Sequence, residues 1–112
     1  MTPEDGWDFD HQRAETAWTL KTLLEETGLA EGAEIALELD FVPSGDGSAD
    51  PEALLRSLAA FGYAAEPTDE GIRATREGVA LSLEDIWTHE ERTSRMALAR
   101  GFRPDGWGFW EP

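Results

Sequence analysis

The stretch AEIALELDFVP, residues 33–43, constrains the fold of this chain more than any other segment. Ile35, Leu37, Leu39 and Phe41 recur at every second position, and Glu34, Ala36, Glu38, Asp40 and Val42 fill the positions between. A period of two places the first set on one face of an extended strand and the second set on the other. The segment therefore reads as a half-buried strand. One face is apolar, and the other carries three carboxylates.

The remaining elements follow from spacing and punctuation. A helix is predicted from Phe9 to Thr27, because Ala17, Leu20 and Leu24 repeat at helical spacing, Leu23 widens the stripe and Gly28 stops it. Trp18 sits at the edge of that stripe, where it can face a second surface. After a polar loop, Asp50-Pro51-Glu52 supplies an N-cap, a proline at the first helical position and an acid in the first turn. Leu54, Leu55, Leu58 and Phe61 form the stripe of that second helix, and Gly62 is its stop. Tyr63 to Pro67 reads as a short strand, residues 68–71 as a turn, and a further strand begins at Ile72, with Glu77-Gly78 a bulge or a bend within it. Ser82 with Asp85 resembles a capping box. A third helix then runs from about Leu83 to Arg100, with Ile86, Thr93, Met96 and Ala97 inward, and residues 103–111 close the chain as a strand. Residues 1–8 read as a flexible N-terminus and 9–112 as a single domain.

With the first helix set aside, this order is βαββαβ. It predicts an α+β chain of the ferredoxin-like, split βαβ kind, a four-stranded antiparallel sheet with two helices on one face and an extra N-terminal helix. In that fold the first and last strands are neighbours. The acidic face of residues 34–42 is then expected beside RPDGWGFWEP, residues 103–112.

Charge narrows the function. The chain of 112 residues holds 24 acids against 9 bases, a net charge of −15. The imbalance lies in residues 1–70, where 17 acids face only Arg13, Lys21 and Arg56. Phosphate contacts require lysine and arginine, so direct nucleic-acid binding is not expected. A basic protein partner is, since complementary potential speeds encounter; the plainer reading is that the acids keep the chain in solution. The absence of cysteine excludes disulfides, thiolate metal sites and cysteine nucleophiles. No apolar run approaches a membrane span and no signal-peptide profile opens the chain, so no membrane association is expected and the cytoplasm is the expected compartment.

The sequence spells Asp-Gly-Trp-x-Phe twice, at residues 5–9 and 105–109. If the second copy is a strand, Gly106, Gly108 and Trp110 share one face, and Asp105, Trp107 and Phe109 the other. Glycine in a strand often marks a close approach, whether by the protein's own helix, a neighbouring ring or a partner. Trp107 is expected in the core and Trp110 on a contact surface. The first copy reads as a chance match in a tryptophan-rich chain.

Metal and catalytic patterns are weak. Asp46, Ser48 and Asp50 imitate the start of a calcium loop, but Pro51 stands where glycine is needed and Ser57 where a bidentate glutamate is needed. His89 reads as a hydrogen-bonded structural histidine. Glu25-Glu26 and Glu90-Glu91 point in different directions on their helices and read as solvated. There is no nucleophile–base arrangement and no phosphate-cradling loop followed by lysine. The chain is therefore expected to be no enzyme, to have no catalytic or metal-binding residues and to need no cofactor.

A family resemblance adds to this. Glu15-Thr16 followed by Leu23-Leu24-Glu25-Glu26, then Phe61-Gly62-Tyr63, then Met96-Ala97-Leu98-Ala99 and finally Asp105-Gly106-Trp107-Gly108 make the chain resemble the regulator of ribonuclease activity B family, protein inhibitors of ribonuclease E. The likeness spans roughly residues 12–111. It implies a ferredoxin-like variant and a non-catalytic protein that binds ribonuclease E and modulates RNA cleavage. The best-known members continue past DGWG into a long acidic tail, whereas four residues follow the motif here.

Three functions are weighed. The first is a ribonuclease E regulator, with Glu34, Glu38, Asp40 and Trp110 on its partner surface and Asp105, Gly106, Trp107 and Gly108 as a structural or binding motif. The second is an acidic immunity protein or nucleic-acid mimic that blocks another basic enzyme. The third is a small-ligand module or enzyme using the sheet face near Glu38 and Trp107, which a deep pocket with convergent carboxylates would favour.

Overall fold

The alternating segment forms β1 (Glu34–Pro43), the strand around which the other elements assemble. The computed structural model describes residues 6–110. Along the chain it contains α1 (Phe9–Thr27), β1, α2 (Pro51–Ala60), β2 (Ala64–Pro67), β3 (Ile72–Ala80), α3 (Leu83–Leu98) and β4 (Phe102–Trp110). The sheet order is β2-β3-β1-β4, with every pair antiparallel. This is the ferredoxin-like α+β arrangement with an added N-terminal helix, and β4 lies beside β1 as the βαββαβ order requires.

Ile35, Leu37, Leu39 and Phe41 point into one core with Leu54 and Leu58 of α2, Ile86 and Ala97 of α3, and Ile72, Ala74 and Val79 of β3. Both helices therefore cover the same sheet face. α1 packs along α3 and adds Leu20 to this core. Among the described residues no helix packs over the other sheet face. Burial of β1 follows the period of two, with Glu34 exposed and Ala36, Glu38, Asp40 and Val42 half-buried between fully buried neighbours.

The caps match the local sequence. Asp50 accepts the Ala53 amide and Pro51 opens α2. Ser82 accepts the Asp85 amide at 3.3 Å. The Asp85 carboxylate reaches past the cap to the Ala80 amide at 2.8 Å, tying α3 to the end of β3. Gly28 closes α1 in the left-handed conformation, with φ 70°.

Two irregularities shape the sheet. The β1–β3 register shifts between Ile35 and Leu37, so Glu77-Gly78 is a bulge. The β1–β4 register shifts between Asp40, opposite Gly106, and Phe41, opposite Pro104, which leaves Asp105 as the extra residue.

Some inward assignments differ from the sequence reading. The buried line of α1 is Gln12, Thr16 and Leu20, one row over from Ala17. Phe61 is 54% exposed because the chain leaves the helix at its cap, where the Arg92 guanidinium lies 6.0 Å from its ring. Trp18 is 70% exposed. Of the N-terminal segment read as flexible, residues 1–5 lie outside the described residues. Trp7 and Asp8 hydrogen-bond to Gln12 and His11.

Candidate functional site

Two surfaces carry the residues singled out by the sequence. The first is the uncovered sheet face. Glu38 lies opposite Gly108 on one side and Thr75 on the other, and Asp40 lies between Gly106 and Arg73. Ala36 lies opposite Trp110, which is 65% exposed. Glu34 stands at the start of β1, opposite Ala80. Trp110, Glu38 and Asp40 are thus drawn onto one face, and Glu34 sits at its margin.

The carboxylates on this face are not free charges. The Arg73 guanidinium lies 2.8 Å from Asp40 Oδ1 and 3.3 Å from Glu38 Oε2. The Asp40 hydrogen bond, and then the charges of Asp40 and Glu38, push the Arg73 pKa up. One cation shared by two acids leaves this trio with a net charge of −1.

The DGWG segment divides its labour across the strand. Trp107 and Phe109 lie opposite Leu39 and Leu37 and pack on the core while staying partly exposed. Gly106 has φ 125°, a conformation that side chains rarely adopt, so the bulge requires glycine there. Gly108 has no such requirement. A methyl group added at either position would meet nothing within 4 Å among the described residues. The close approach anticipated for these glycines therefore does not come from the described part of this chain.

The second surface is a cleft of about 430 Å³ between the start of α1, the middle of α3 and the β4 bulge. Trp7 from the first Asp-Gly-Trp copy and Asp105 and Gly106 from the second line the same cleft. The two copies, read as a chance match, contribute residues to one cleft. Asp8, His11 and Glu15 form the α1 side, with His11 Nε2 2.8 Å from Glu15 Oε1.

Glu90 lies at the base of this cleft and is 5% exposed. Thr16 Oγ1 donates to Glu90 Oε1 at 2.6 Å, and Gln12 Nε2 donates to Oε2 at 3.1 Å. Gln12 also donates to Ser94 Oγ and accepts from the Trp7 indole N–H at 2.8 Å. Burial pushes the Glu90 carboxyl above the ordinary glutamate range, against the lowering effect of these hydrogen bonds. The reading of Glu90 as solvated is therefore corrected. The approach of α1 covers it, and Gln12 and Thr16 satisfy it.

His89 has the structural role expected of it. Its Nδ1 is 2.7 Å from the Tyr63 hydroxyl, and their rings meet edge to face. Desolvation, with Arg76 nearby, lowers the His89 pKa, and desolvation raises that of Tyr63. Among the described residues no group of histidines and acids is placed to hold a metal ion. No helix there is long and apolar enough to cross a membrane.

A deep pocket near Glu38 and Trp107 was the signature of a small-ligand site. One cleft with several carboxylates lies beside α1 at the β4 bulge, and a second hollow of about 360 Å³ is lined by Asp40, Asp69, Glu70, Arg73 and Asp105. Compared with protein-family models and with curated proteins, the chain matches none, so the geometry alone assigns roles to its residues.

Proposed function

We propose that this protein is a non-catalytic acidic regulator that binds a basic protein through its uncovered sheet face. Its resemblance to the regulator of ribonuclease activity B family makes a ribonuclease E-like endoribonuclease the first partner to test, with RNA turnover in the cytoplasm as the process affected. The observation that carries the reading is Gly108. It lies opposite Glu38 on the open face, and neither backbone conformation nor packing among the described residues demands a glycine there. A bare pleat bordered by an exposed tryptophan lets a partner approach the strand closely, and tryptophan is enriched among residues that dominate interface energetics. The net charge of −15 supports a basic partner, because opposite potentials steer encounter.

Arg73 sharpens the expected role of the carboxylates. It already neutralises half of the Glu38–Asp40 pair, so the local charge gives orientation and the wider acidic surface gives long-range attraction.

The test is binding of the purified protein to the catalytic and scaffold regions of the host's ribonuclease E, at low and moderate salt, alongside RNA cleavage. Salt-sensitive binding with slowed cleavage is expected, weakened by Trp110→Ala and by Gly108→Val. Absence of binding at both salts would overturn the ribonuclease assignment and direct the search to another basic enzyme.

A further inference from the structure

Glu90 is a buried carboxyl whose hydrogen-bond partners, Thr16 and Gln12, are both neutral. None of the ion pairs His11–Glu15, Arg73–Glu38, Arg73–Asp40 and Arg95–Glu91 involves Glu90. Its two oxygens are held by a hydroxyl and an amide, both neutral donors. Buried carboxylates are ordinarily paired or neutralised. This one stands at the base of a cleft of about 430 Å³, a size that holds a small group.

We infer that this cleft is a receptor for a guanidinium group. Each Glu90 oxygen accepts one hydrogen bond, and a carboxylate oxygen has room for a second. An ionised carboxylate has a second acceptor position on each oxygen, and such a pair matches the parallel N–H fork of guanidinium better than the point charge of an ammonium. Trp7 lines the same cleft, and an aromatic ring attracts a guanidinium cation. Asp105 and Glu15 at the rim attract positive charge, and the positive end of α1 is already met by Asp8, which accepts the His11 amide. Guanidinium is also more weakly hydrated than ammonium, so it loses less on entering a half-enclosed site. The inference goes beyond the proposed regulator role. It uses the cleft beside α1 and Glu90, whose rim residue Asp105 also borders Asp40 and Arg73, and it does not depend on which protein binds the open face.

The group can belong to a small molecule or to an arginine of a protein. Calorimetry on the full chain separates these with three probes: N-acetyl-arginine amide, N-acetyl-lysine amide, and a pentapeptide with one central arginine flanked by glycine and serine. The arginine amide is expected to bind saturably with one site, and the lysine amide on the order of tenfold more weakly. Glu90→Gln, folded by circular dichroism, is expected to lose on the order of tenfold or more. Thr88→Ala, at an exposed position of α3 outside the cleft lining, is expected to keep binding. Tighter binding of the peptide assigns the guanidinium to a protein partner, and equal binding assigns it to a small molecule. No saturable heat with any arginine probe, equal affinity for lysine, or undiminished binding by folded Glu90→Gln would overturn the inference. No arm contains a ribonuclease, so failure here leaves the regulator reading standing, and failure to bind ribonuclease leaves the cleft standing.

Discussion

A glutamate in the interior costs free energy to ionise, and Glu90 makes that cost measurable. Its folded pKa is raised, chiefly by burial. The folded state therefore holds a proton at pH values where the unfolded chain has released it. Stability is expected to fall as pH rises from the ordinary value of 4.5 through the raised folded value. His89 acts in the opposite direction, because its folded pKa is lowered from 6.5 and stability is lost as pH falls below that value. Urea titrations of wild type, Glu90→Gln and His89→Gln across pH 4 to 8 separate the two. Glu90→Gln is expected to remove the decline toward neutral pH; an unchanged pH profile would show that Glu90 titrates normally. For the tryptophans, the expected order is Trp107→Ala destabilising by about 2–3 kcal/mol, since it packs on the core while partly exposed, and Trp110→Ala by less than about 0.5 kcal/mol. Equal melting temperatures for the two would reverse this division of roles. Glu90 was in principle legible, because it lies four residues from Ile86 and seven from Ala97 on the buried line of α3. Pairing it with Glu91 obscured that spacing.

Elements differ in how strongly they are held. β1 and β3 sit at the centre of the sheet; the apolar face of β1 was readable from its period of two, and the start of β3 at Ile72 from the turn before it. The position of α1 was not, for a physical reason: two of its three buried residues are Gln12 and Thr16. Its docking depends on hydrogen bonds to Glu90 and Ser94, on Leu20, and on the Arg95 guanidinium 4.2 Å from the centre of the Phe9 ring. A hydrophobic stripe cannot reveal an interface made largely of polar pairs. Because apolar burial contributes little there, α1 is expected to open below the global unfolding free energy. Native-state hydrogen exchange would show this as weaker protection of α1 amides than of β1 amides. At the β4 bulge, Gly106→Ala is expected to cost on the order of 1–3 kcal/mol through backbone strain, whereas Gly108→Ala costs less than about 0.5 kcal/mol. Chemical denaturation of both variants checks this. Comparable losses would mean that Gly108 is also there for the fold.

At the scale of the whole molecule, the uneven charge sets solution behaviour. A chain with net charge −15 repels itself, and salt screens that repulsion within about 8–10 Å at physiological ionic strength. Raising sodium chloride from low to moderate concentration is therefore expected to raise the melting temperature while weakening any basic partner, a pair of opposite responses readable in one titration series. The fold class was legible because the βαββαβ order admits few arrangements. The cleft was not, because it forms only where α1, α3 and β4 converge, and those segments are far apart in sequence. The bulge at Asp105 has a further consequence. β2 and β4 are the outer strands of the sheet, β2 contains Pro67, and β4 contains Pro104 beside the bulge. Proline offers no N–H and a bulge breaks the regular ladder, so neither margin presents an uninterrupted template for another strand. The outer strands are thus interrupted by proline and a bulge, while the face carrying Glu38 and Asp40 has no helix over it among the described residues.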